Sequence, residues 1–130
     1  MRKIRFTLFF VLLISSLSAQ VNPKSIEIVR DPYGVPHIFA PTDAAVAYGL
    51  AWAHAEDDFN TIQLGYLAGN NLLTKHLGNS GLGADFIAQF IGSEALFDSR
   101  YESDIHSDYK KIVEGYAAGL NQYALTHPNE

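Results

Sequence analysis

Ile28-Val29-Arg30-Asp31-Pro32-Tyr33-Gly34-Val35-Pro36-His37-Ile38-Phe39-Ala40 is the stretch that decides the fold. Just before it, Ser25 and Glu27 alternate with Ile26 and Ile28, which is the two-residue period of a strand. Asp31-Pro32-Tyr33-Gly34 is a turn, because Pro presets φ at the second position and Gly closes it. Val35 to Ala40 resumes an extended path, since Pro36 keeps Val35 out of helical angles. Pro36 cannot donate to a ladder, so it belongs at an edge or at a strand start. The reading is a β-hairpin.

Downstream of the hairpin the chain is helical. Thr42 caps a helix and Asp43 lies where the N-terminal dipole favours negative charge. Residues 44–59 are apolar almost all round, which predicts a helix buried on most faces. A second helical stretch over 60–68 is broken or bent by Gly69-Asn70-Asn71. A short helix over 72–77 ends at Gly78, and residues 79–83 read as a loop. Residues 85–91 place Phe86, Ile87 and Phe90 on one side of another short helix, whereas 93–103 have no decisive pattern.

The clearest helix comes last. Tyr109, Ile112, Val113, Tyr116, Ala117, Leu120, Tyr123 and Ala124 follow the three-and-four spacing of an amphipathic helix, with Ser107 or Asp104 as cap. Gly115 and Gly119 lie beside that stripe and cost about 1 kcal/mol each relative to Ala. They predict the close approach of another element, one outside this chain being an open alternative.

The first 19 of the 130 residues read as a secretory leader: a basic start at Arg2, Lys3 and Arg5, an apolar run over 6–14, and residues up to Ala19 that are small apart from Leu17. The run is too short to span a bilayer. Residues 20–130 then form the exported part, with 6 basic and 14 acidic residues and a net charge of −8. That balance excludes a nucleic-acid binder built on clustered Lys and Arg. The absence of Cys excludes a disulfide scaffold, a thiolate zinc site and a thiol nucleophile. With 8 Phe and 7 Tyr, the chain is expected to bury large apolar surfaces.

The residues of the hairpin closely resemble the N-terminal signature of the penicillin acylases. Three more segments are similar to the family in order. They are Tyr48-Gly49-Leu50-Ala51-Trp52-Ala53-His54-Ala55-Glu56-Asp57-Asp58-Phe59, the stretch from Leu67-Ala68-Gly69 through Leu77-Gly78, and Gly115-Tyr116-Ala117-Ala118-Gly119-Leu120-Asn121-Gln122-Tyr123. The family, also called penicillin amidases, comprises N-terminal nucleophile hydrolases and includes acyl-homoserine-lactone and aculeacin-type acylases.

The resemblance implies a precursor that cuts itself into an α chain and a β chain. The N-terminal Ser of the β chain is the nucleophile, its own α-amine the base, and an Asn and a backbone N–H of that chain stabilise the oxyanion. The expected fold class is α+β: a helix-rich fragment with an N-terminal β-hairpin, part of a four-layer αββα sandwich. The implied location is periplasmic or secreted, the partners are the β chain and a small acyl-amide substrate, and calcium is possible in a full-length enzyme. Residues 20–130 correspond to only the front of the α chain. No catalytic, cofactor-binding or metal residue is therefore assigned within this chain, and the chain alone is expected to be inactive.

Each chemical candidate has a plain structural reading beside it. Ser93 follows the one Gly-Ser pair but lacks the Asn that follows the family's nucleophile, so a loop or helix cap is expected. His54 and Asp58 have a metal-ligand spacing but lack the second His of a zinc helix, and an ion pair is the alternative. Glu56, Asp57 and Asp58 point in different directions on a helix, so a solvated acidic end is expected rather than an acid–base pair. Arg30 and Asp31 are read as a pair across the turn, and His37 as a ring that ties the hairpin. Tyr66, Phe86, Phe90 and Phe97 are expected in core packing rather than on an acyl pocket. A different class remains open: a small exported binding module that uses the acylase scaffold without catalysis.

Overall fold

The structure is a computed structural model and describes residues 21–129. The leader reading falls outside the described residues. A 3-10 turn at Pro23–Ser25 leads into strand β1 (Glu27–Arg30) and strand β2 (Pro36–Phe39). Five helices follow: α1 (Asp43–Gly69), α2 (Leu73–Leu77), α3 (Leu82–Ile91), α4 (Ser93–Asp104) and α5 (Ser107–Thr126). The architecture is thus helix-rich α+β with a leading hairpin.

The strands pair antiparallel in the register Ile28↔Ile38 and Val29↔His37. Pro36 opens β2, where its missing N–H is harmless. Gly34 adopts φ +83°, a conformation Gly enters without steric cost, and its N–H donates to the Asp31 carbonyl at 2.9 Å. Alternation then sorts the faces. Ile28 and Ile38 are half-buried towards α1, while Val29, His37 and Phe39 face away and are exposed. A Cβ at Gly49 would lie 2.7 Å from Ile38 Cγ2 and 2.9 Å from Ile26 Cγ2, so the hairpin lies directly on the α1 backbone.

Helix α1 is capped by Thr42, whose Oγ1 accepts from the Ala45 N–H at 3.2 Å. Its buried residues are small apart from Tyr48: Ala45, Ala47, Gly49, Ala51, Ala53 and Ala55. Small side chains let neighbouring backbones approach, and α5 does so through Gly115 and Gly119. A Cβ on either would collide with the backbone carbonyl of Ala44 or of Tyr48, respectively. The close neighbour these glycines predict is therefore α1, within the chain itself. Because 115 and 119 climb one turn as 44 and 48 do, the two helices run parallel, and the segment between them serves as the crossover.

Glycine packing also turns α5 about its axis. The line facing α1 is Gly115, Gly119 and Tyr123, flanked by Ile112, Tyr116 and Leu120, whereas Tyr109 and Val113 are exposed. The stripe read from sequence thus overreaches at one edge. The cap is His106, whose Nδ1 accepts from Asp108 N–H at 3.3 Å, rather than Ser107 or Asp104.

The break expected after Phe59 falls at Asp58, which has φ −161° and ψ 76° inside α1. Asp58 caps the second half as a new helix: Oδ1 accepts from Thr61 N–H at 3.0 Å and Oδ2 from Thr61 Oγ1 at 2.6 Å. The segment read as a loop over 79–83 is instead a 3-10 turn, Gly78–Gly81, running into α3. It is pinned by Asp85, which is 5% exposed and accepts from Leu73 N–H at 3.2 Å and Thr74 N–H at 2.7 Å. The undecided stretch over 93–103 is helix α4, separated from α3 by Gly92 at φ +71°.

Candidate functional site

The densest polar convergence lies where the hairpin meets the end of the first half of α1. Arg30 Nη1 donates to the Gly34 carbonyl at 2.9 Å, and Nη2 donates to the Ala53 carbonyl at 3.2 Å. Nη2 also pairs with Glu56 at 3.1 Å and Asp57 at 2.9 Å. Hydrogen bonds that it donates to Glu56, then to Asp57, raise the pKa of the guanidinium further. The expected Arg30–Asp31 pair does not form, because Arg30 is taken up by Gly34, Ala53, Glu56 and Asp57 and Asp31 by the turn. Glu56, Asp57 and Asp58 are all exposed, the solvated acidic end expected of them, and within it Glu56 and Asp57 converge on one cation while Asp58 turns away to cap its own helix.

Asp31 works on the turn instead. Its Oδ1 accepts from Tyr33 N–H and Val35 N–H, both at 2.9 Å, and Oδ2 lies 3.5 Å from His37 Nε2. The Val35 N–H, with the Tyr33 N–H and His37 behind it, holds this carboxylate below its usual range. His37 comes no closer to the turn than this 3.5 Å approach of an exposed ring to Asp31.

Beside this junction an open groove of about 460 Å³ is lined by Pro23, Ile26, Ile28, Tyr48, Gly49, Trp52 and Gln122. Trp52 Nε1 donates to Glu56 Oε1 at 2.8 Å, so the groove wall and the Arg30 cluster share a residue. Behind it Tyr123 packs on Trp52 and Phe59, each at 5.2 Å between ring centres, and His127 stacks on Tyr123 at 4.0 Å. Burial pushes the Tyr48 phenol above its usual pKa. The groove offers apolar contact together with the neutral polar groups of Tyr48, Trp52 and Gln122.

The other candidates are engaged elsewhere. His54 Nδ1 lies 3.0 Å from the Tyr116 hydroxyl, and Asp58 is held by Thr61. Among the described residues no three His, Cys, Asp or Glu side chains are grouped to hold a metal ion. Ser93 opens α4 immediately after the left-handed Gly92. One pair was missed in sequence: Thr126 Oγ1 lies 3.1 Å from His127 Nδ1. That hydroxyl is also within 3.0 Å of the Gln122 and Tyr123 carbonyls, the back-bonding of an ordinary helix threonine. Asp85 was missed as well; only its spacing of about one short helix from Thr74 could have signalled the contact.

The expectation of core packing for Tyr66, Phe86, Phe90 and Phe97 is overturned. They are 66%, 65%, 83% and 58% exposed, and Leu82, Ile87 and Ile91 share the open side of α3. Phe86 stacks on Phe90 with ring centres 6.2 Å apart, but no element of the described chain covers them. No helix among the described residues is long and apolar enough to cross a membrane.

Comparison with known proteins gives these features a context. The profile of the family described as Penicillin amidase matches residues 25–130. An acyl-homoserine lactone acylase PvdQ of Pseudomonas fluorescens is 27% identical over 120 residues, 83% of this chain and 15% of the relative. A penicillin acylase 2 proenzyme of a Pseudomonas species is 26% identical over 111 residues, 85% of this chain and 14% of the relative. Among solved structures, a thermostable penicillin G acylase of Alcaligenes faecalis superposes with a TM-score of 0.71 at 26% identity, covering 82% of this chain and 56% of that one. The chain thus spans about one seventh of the length of these curated relatives and has the fold of the matching part of an N-terminal nucleophile hydrolase.

Proposed function

The chain belongs to the penicillin amidase family, and from that premise we propose that it is the N-terminal part of an exported acylase precursor. The whole enzyme hydrolyses the amide bond of N-acylated small molecules: β-lactam antibiotics, acyl-homoserine lactones or acyl peptides. Residues 1–19 are its leader, residues 20–130 open its α chain, and the location is the periplasm or the exterior. Its Ser nucleophile stands on a β chain cut from the same precursor. The relatives support the amidohydrolase class, since their names are those of an acyl-homoserine lactone acylase and a penicillin acylase.

One observation carries the division of labour. The described residues build a groove and a braced hairpin, while a broad apolar side of α3 and α4 stands open. Aromatic side chains at this exposure suit a scaffold that packs against a further polypeptide better than a self-contained binding module. Calcium, which the resemblance allows for a full-length enzyme, finds no fitting cluster among the described side chains.

The test is direct. Purified chain is incubated with a penicillin and with long- and short-chain acyl-homoserine lactones, and free carboxylic acid is measured. No release is expected. Release of acid by this chain alone would overturn the assignment of the nucleophile. Sequencing past the codon for Glu130 is the second arm: a reading frame that continues to a self-cleavage junction ending in Ser is expected. A stop codon with no β-chain gene nearby would sink the enzyme reading.

A further inference from the structure

We draw no further inference here: the strongest candidate, the exposed apolar face formed by Leu82, Phe86 and Phe90 on α3 with Phe97 on α4, carries nothing because nothing in the structure shows what covers it.

Discussion

Gly119 rests on the backbone carbonyl of Tyr48, so closely that a single methyl group at position 119 would overlap it and meet Ala51 Cβ at 2.9 Å. Gly115 repeats the contact one turn earlier on Ala44. Helix α5 is thereby held at backbone distance from α1, whereas the hairpin side meets α1 at Gly49 through the side chains of Ile26 and Ile38.

Replacing Gly119 or Gly115 with Ala is expected to destabilise the chain by about 1–3 kcal/mol, the range for overpacking a tight interface. Gly83 is the control. It lies inside α3 with open space where a Cβ would go. Gly83→Ala is therefore expected to stabilise by about 0.5–1 kcal/mol through helix propensity and lost unfolded-state freedom. Urea titrations of the three variants give the comparison, and equal effects at 83 and 119 would contradict the packing described.

Thr42→Ala removes the hydroxyl that accepts from Ala45 N–H at the start of α1. A loss of about 1 kcal/mol is expected from the unsatisfied helix end. Thr42→Ser should restore most of it. Chemical denaturation of the pair separates capping from side-chain bulk.

Arg30→Met keeps the side-chain length and removes the charge. Glu56 and Asp57 then repel one another, and Glu56 is no longer fixed where it accepts from Trp52 Nε1. Trp52 is the single Trp, so its emission reports on the junction alone. A red shift with faster quenching by acrylamide is expected, with helical circular dichroism retained. Arg30→Lys is expected to recover little, because one ammonium cannot reproduce the fork that reaches Gly34, Ala53 and both carboxylates.

Acid should loosen the α2–α3 corner. The Thr74 backbone N–H, followed by the Leu73 N–H, lowers the Asp85 pKa from its ordinary 3.8. A depressed folded-state pKa means the unfolded chain binds the proton more readily. The stabilisation is therefore fully present above the unfolded value and is lost as pH falls through the folded one. Asp31 and Asp58 are depressed too, by the turn N–H groups and by Thr61, and they add in the same direction. The melting temperature is expected to hold above about pH 5 and to drop below about pH 4. Asp85→Asn should start lower at neutral pH and show a shallower acid decline. Unchanged steepness would remove Asp85 from the account.

Phe86→Ser with Phe90→Ser alters the open side of α3 without touching the helix contacts. Light scattering is expected to show less self-association, with thermal stability almost unchanged because both rings are largely in water already. A large fall in stability would mean these rings are core residues after all.

The hairpin, the long first helix and the amphipathic last helix were legible in the chain because each is specified locally. Alternation at Ile26 and Ile28, Pro and Gly in the turn, Thr42 before an apolar run and the spacing of α5 all act within a few residues. The same holds for the break near Phe59, although Asp58 rather than the next residue takes the non-helical backbone. Local pattern misled where a residue answers to something distant. Residues 79–83 have a loop composition, yet the Asp85 carboxylate across the corner draws the backbone into a tight turn. The Arg30 pairing was invisible because Glu56 and Asp57 lie 26 and 27 positions away and meet it only through the folding of the hairpin onto α1. The sequence by itself determined the family, the local elements and the presence of glycines that demand a close neighbour. Only the tertiary structure decided that the neighbour is α1 and that the aromatics of α3 and α4 stay uncovered, because burial depends on which surfaces meet and no local periodicity encodes that.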